Sequence, residues 1–165
     1  VAELAPYRGP SADGWEIDPA ALAVVGGRAV TLSTGVDAWI AAADRAPEWA
    51  LVDIGINDLS APATSEADYK TQLAYTLDAI HAAWPSCKAL VSKIWGRGFD
   101  AQADTMAGWI DSVLATRSPW AAVGDDERVW MKGSDNGATM SSDGIHYSSA
   151  GNTEKAIRVR VAMGY

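Results

Sequence analysis

Cysteine, histidine, phenylalanine and positive charge are all scarce in this chain. The single cysteine, Cys87, excludes an internal disulfide, and its place beside an apolar run reads as a buried small hydrophobe rather than a reactive thiol. Two histidines and no Cys/His cluster leave no ligand set for zinc, and no metal or cofactor is expected. Thirteen basic residues against 21 acidic ones give a formal net charge of −8 with no Lys/Arg cluster, so a nucleic-acid backbone is repelled. No apolar run approaches the ~20 residues of a membrane span. The stretch "AALAVVGG" is short and ends in glycines, and "VAELAPYRGP" lacks the basic-then-apolar pattern of a signal peptide. Composition does not choose between an extracellular and a cytoplasmic address, and it is silent on oligomeric state.

What is present is a chain of 165 residues, the size of one domain (1–165), with 48% apolar and 21% charged residues, enough to bury a core. Eight tryptophans are scattered along it, as core and cleft packing would scatter them.

Strand-like and helix-like segments alternate. "RAVTLS" (28–33) reads as a strand and "GVDAWIAAADRA" (35–46) as a helix stopped by Pro47. "WALVDIG" (49–55) has the unbroken apolar character of a strand covered on both faces. A loop, "INDLSAPAT", leads to a helix from Ser65 to Trp84, with Ser65 as N-cap and a stripe of Tyr69, Leu73, Leu77, Ile80 and Trp84. "KALVSKIW" (88–95) is a strand, and 101–116 a helix burying Met106, Trp109, Ile110 and Val113. "WAAVG" and "RVWM" are weaker strand candidates, and "AGNTEKAIRVRVAMG" is a closing helix. Such alternation implies a parallel sheet with helices on both faces, whose ligands bind beyond the carboxyl ends of the strands.

Three polar segments fall at that edge. In "DGIH", Asp143 sits three residues before His146 with Gly144 between, so the carboxylate can orient the imidazole as a base. A second pair of the same spacing, Asp78 and His81, lies inside a predicted helix and reads as a boundary histidine beside a helical neighbour. Asn57, just past a buried strand, can aim its amide at a developing oxyanion, while Asp58 holds the turn. Gly35, between "TLST" and a helix, offers a backbone N–H to the same oxyanion or is a plain strand-to-helix glycine. Trp95, at the end of its strand, is placed for stacking on a sugar ring.

Together these segments resemble the SGNH (GDSL-type) hydrolase family. "GIND" (55–58) looks like its GxND block, "DGIHYSSAG" (143–151) like its DxxH block, and "STG" (33–35) stands where its glycine block belongs. The resemblance implies a flavodoxin-like three-layer α/β/α sandwich with a mainly parallel sheet. It also implies a serine nucleophile, Gly35 and Asn57 as oxyanion donors, and Asp143 and His146 completing a triad. A short acyl group would leave a small or carbohydrate-borne ester through an acyl-enzyme.

The block carrying the nucleophile is missing. No "GDS" occurs, and no strand-like segment precedes "RAVTLS". One explanation is that the serine and the first, central strand lie just upstream of Val1, on a segment of the same protein. A second is a non-catalytic, carbohydrate- or ligand-binding module on the same fold. A third is substitution by Ser33, Ser60, Ser141 or Ser142, each of which also reads as a capping or turn serine.

Overall fold

The computed structural model describes residues 28–43, 45–59, 64–132, 139–140 and 144–165, together with the backbone of 4–6 and 20–22. The two short N-terminal pieces, β1 (Leu4–Pro6) and β2 (Ala20–Leu22), pair antiparallel.

The strand expected over 28–33 is not formed. It and the helix expected after it are one element, α1 (Ala29–Ala42). Its buried positions Ala29, Ser33 and Val36, with Leu32, Trp39 and Ile40 partly covered, make a single stripe at helical spacing. The β-branched residues that suggested a strand serve the helix locally. Thr31 accepts the Arg28 N–H (3.3 Å), Thr34 bonds back to the Val30 carbonyl (3.1 Å), and Val30 faces outward.

Among the described residues, three strands form the main sheet: β3 (Trp49–Val52), β4 (Lys88–Lys93) and β5 (Ala121–Asp126), parallel and in the order β3-β4-β5. Between β3 and β4 come a one-turn helix, α2 (Ile56–Leu59), where a loop was expected, and α3 (Glu66–Ala83). Ser65 caps α3 by accepting the Asp68 N–H (3.1 Å), and Tyr69, Leu73, Leu77 and Ile80 are all buried. α4 (Asp100–Leu114) joins β4 to β5 and buries Met106, Ile110 and Val113. "RVWM", expected as a strand, lies in a short helix, α5 (Glu127–Met131), because Asp126 caps it and accepts the Arg128 N–H (3.2 Å). α6 (Ser149–Met163) closes the chain.

The layers follow from two neighbouring residues of β4. Ser92 and Lys93 point to opposite faces of the sheet. Ser92 bonds Lys155 of α6 (2.9 Å), whereas Lys93 pairs with Asp111 of α4 (2.6 Å). α6 therefore covers one face and α4 the other, with α3 beside α4 and α1 packed on α3 through Ser33–Gln72 and Tyr75–Asp37. The result is a three-layer α/β/α sandwich on a parallel sheet.

β3 departs from the expectation of cover on both faces. Leu51 is 43% exposed, and the outer edge of β3 has no strand partner among the described residues. Helix α6 packs on β5, and among the described residues Leu51 of β3 is left partly uncovered.

Candidate active site

The chain leaves β3 through Gly55, whose φ of +127° is left to glycine. A Cβ there would also stand 2.6 Å from Ile94 Cδ1 and 2.9 Å from Met106 Cε. That sharp exit starts α2 directly, so Asn57 is held half-buried on a helical turn just beyond the strand. Asp58 holds this turn as expected. It is buried, and its carboxylate accepts the Ala29 N–H at the start of α1 (3.0 Å) and the Thr64 hydroxyl (3.0 Å). Burial pushes the Asp58 carboxyl above its ordinary value, and those two hydrogen bonds pull it part of the way back.

His146 stands in the stretch 144–148 ahead of α6, with its side chain exposed. Several contacts pin this stretch. Met140 and Tyr147 form an antiparallel bridge, the Ser148 N–H donates to the Thr139 carbonyl (3.0 Å), and the Ser148 hydroxyl caps α6 at the Gly151 N–H (3.2 Å). Gly151 accounts for the glycine that closes "DGIHYSSAG". A Cβ there would lie 1.9 Å from the Thr139 carbonyl oxygen, so no other residue fits.

The loop after β4 brings the two segments together. A Cβ on Gly96 would lie 2.9 Å from Ile56 Cδ1, which places Gly96 against α2. The next residue, Arg97, donates its N–H to the Gly144 carbonyl (3.0 Å) and lays its side chain over Gly144. Asn57 and His146 thus flank the same loop at the carboxyl edge of the sheet.

Other expected residues fall elsewhere. Asp143, Ser60, Ser141 and Ser142 lie outside the described residues. Gly35 is not at a strand-to-helix junction. It is well inside α1, past the first turn whose N–H groups lack helical partners, so its N–H is committed to the helix. Trp95 is not a sugar platform: it is 4% exposed, and its indole N–H donates to Asp100 (2.7 Å). Ser33 is buried and donates to Val30 and Gln72, which removes it as a nucleophile. Asp78 does not pair with His81. Both its oxygens are taken by Arg117 (2.9 and 2.6 Å), while His81 stacks on Trp120 at 4.1 Å. Cys87 is buried, and burial pushes its thiol up to about 11.

One feature of the edge escaped the sequence reading. The ammonium of Lys155, 7% exposed, meets Glu127 (2.5 Å), Ser92 (2.9 Å), Asp53 (3.3 Å) and Asp125 (3.5 Å), so it touches the carboxyl ends of all three strands. Burial raises the Glu127 and Asp125 carboxyls, with Lys155 opposing. Burial alone would lower Lys155, but Asp53, Glu127 and Asp125 outweigh it and hold the ammonium above its ordinary range. The signal was in the sequence: Gly151, Lys155 and Val159 recur every four residues, which puts a lysine on the buried stripe of α6. No group of three or more metal-ligating His, Cys, Asp or Glu occurs among the described residues. A hollow of about 620 Å³ between α1 and α3, lined by Asp37, Tyr75, Asp78 and alanines, lies in the helical layer rather than at the strand ends.

Solved structures share this architecture. A family 3 carbohydrate esterase from Talaromyces cellulolyticus superposes with a TM-score of 0.68 at 18% identity, covering 85% of this chain and 70% of that one. An acetyl esterase variant with a bound acetate ion gives 0.68 at 19% identity, over 84% of this chain and 70% of its own. The chain shares the three-layer α/β/α fold of these enzymes. A family 3 carbohydrate esterase from Clostridium thermocellum agrees at 0.63 and 17% identity, over 84% of this chain and 68% of that one. No protein-family model and no curated protein matches the chain. Likeness at these identities is a likeness of fold, and the chemistry rests on the residues at the edge. Among the described residues no helix is long and apolar enough to cross a membrane.

Proposed function

We propose that this chain is the greater part of an SGNH-type serine ester hydrolase that removes a short acyl group from a small or carbohydrate-borne alcohol. The observation that carries the proposal is the convergence of α2, bearing Asn57, and the 144–148 stretch, bearing His146, on the Gly96–Arg97 loop of an esterase fold. The nucleophilic serine is assigned to a strand upstream of Val1. Two features support that placement: the outer edge of β3, without a strand partner among the described residues, and the exposure of Leu51, both of which a further strand and its helix would cover.

In the reaction, His146 takes the serine proton as the oxygen attacks the ester carbonyl, with Asp143 orienting the ring. The Asn57 amide donates to the oxyanion. His146 returns the proton to the leaving alcohol, and water then releases the acid by the same route. The substrate class is drawn from the names of the structurally similar enzymes, two carbohydrate esterases and an acetyl esterase. No metal or cofactor enters these steps. A non-catalytic carbohydrate module has less support, because the one aromatic residue expected to stack on a sugar, Trp95, is buried.

The test is the full-length protein, upstream residues included, treated with a serine-directed fluorophosphonate and assayed on p-nitrophenyl acetate. One adduct in the intact mass, mapping upstream of Val1, together with acetate release, is the expected result. Absence of both would end the hydrolase reading. His146→Ala should abolish turnover and His81→Ala should leave it nearly intact, and equal losses would remove His146 from the mechanism.

A further inference from the structure

A buried ionic cluster is a poor route to stability, because desolvating its charges costs about as much as their attraction returns. The cluster around Lys155 therefore calls for another role, and its connections indicate one. Glu127 is 1% exposed and uses both carboxylate oxygens: one accepts the Trp95 backbone N–H (2.9 Å), the other accepts Lys155 and the Tyr147 hydroxyl. Tyr147 directly follows His146. Its ring lies 5.8 Å from the Lys155 ammonium and is stacked with Trp130 at 6.5 Å and 20°. Its backbone is bridged to Met140.

Tyr147 is thus held by its hydroxyl, its ring face and its backbone. Fixing Tyr147 fixes the backbone one bond away from His146, which is exposed at the carboxyl edge. Glu127 is itself fixed by the ends of β4 and β5, through Trp95 and its place directly after Asp126. The anchor therefore refers the histidine to the ends of β4 and β5 and, through Lys155 and Asp53, to the end of β3 that leads to Asn57.

We propose that Tyr147, docked on the Glu127–Lys155 ion pair, is the positioning residue that sets where the His146 ring stands. The activity arm of the test rests on the hydrolase reading above; the spectroscopic arm does not. Tyr147→Phe keeps the ring and its stacking and deletes only the hydroxyl. In the full-length protein the ring signals of His81 and His146 are assigned by NMR, each from its own His→Gln variant, and His81, stacked on Trp120, is the internal reference.

The expected result is that the His146 ring signals of Tyr147→Phe move or split while those of His81 stay. With ester substrate, kcat should fall about tenfold or more with KM little changed, as misplacing a catalytic group does. Unchanged His146 signals overturn the proposal, even where the melting temperature drops, since that pattern is the mark of a merely structural hydroxyl. Moved His146 signals in a protein without esterase activity would uphold the positioning role and remove the hydrolase reading, so the two failures are distinguishable.

Discussion

Asn57 and His146 carry most of the chemical reading, and both owe their places to backbone constraints. The glycine-only exit at Gly55 starts the one-turn helix that holds Asn57, and the Thr139 carbonyl against Gly151 sets the entry of the helix behind His146. If the Asn57 amide is an oxyanion donor, Asn57→Ala should lower kcat by about 10²–10³ with a small effect on KM. Steady-state kinetics on p-nitrophenyl acetate decide it, and an unchanged kcat would reduce Asn57 to a turn residue. Cys87 makes the opposite prediction. Its thiol is buried and raised to about 11, so it should resist iodoacetamide at pH 7.5 in the native protein and react once unfolded in urea. Rapid native alkylation, read by mass, would contradict that placement.

At the scale of elements, α6 is the informative one. Its buried stripe runs Gly151, Lys155, Val159, and the lysine is matched by Asp53 after β3, Ser92 on β4, Asp125 on β5 and Glu127 on α5. Lys155→Met would leave three carboxylates without their cation, and removing one partner of a buried pair typically costs about 3–5 kcal/mol. The loss should depend on pH. Glu127 and Asp125 have carboxyls raised by burial, so their contribution is present below the ordinary carboxylate range and lost as pH rises through their folded values. Arg158, the other cation acting on Asp125, and Tyr147, which donates to Glu127, are unaltered by the substitution. Urea midpoints of Lys155→Met should therefore approach those of the parent near pH 4 and fall away toward pH 8. A gap that is constant with pH would mean that the lysine contributes packing rather than charge.

At the scale of the whole molecule, the open side of β3 is the main structural tension. A parallel strand with no edge partner among the described residues and a half-exposed Leu51 is an aggregation hazard that folded proteins usually cover. If a strand upstream of Val1 covers it, the full-length protein should unfold with a steeper urea dependence and a higher midpoint than residues 1–165 alone, because more surface is exposed on unfolding. Identical slopes and midpoints would place the upstream residues off this sheet and remove the structural support for a serine there.

Elements with a long, regular pattern were legible from the sequence. The stripe of α3 with its Ser65 cap, the apolar run of β4 and the spacing within α4 each state their period over enough residues to exclude the alternative. Short stretches were not. Six residues of "RAVTLS" fit a strand or a helix, and contact with α3 along one continuous stripe, plus the Asp58 cap on Ala29, chose the helix. The same ambiguity made "RVWM" look like a strand until the Asp126 cap and the burial of Glu127 and Met131 made it a helix.

For the site, sequence order alone put Asn57 and His146 beyond strand ends, since parallel βα topology leaves such loops on one edge. Tertiary structure decided everything that depends on which side chain meets which. Trp95 turned into the core, Gly35 was absorbed into a helix, Asp78 went to Arg117, and Lys155 was drawn under the strands to serve three acids. The physical reason is range. Periodicity, caps and turn chemistry act over a few neighbouring residues and are written in the chain, whereas burial and charge pairing join residues as distant as Asp53 and Lys155 and exist only once the layers have packed.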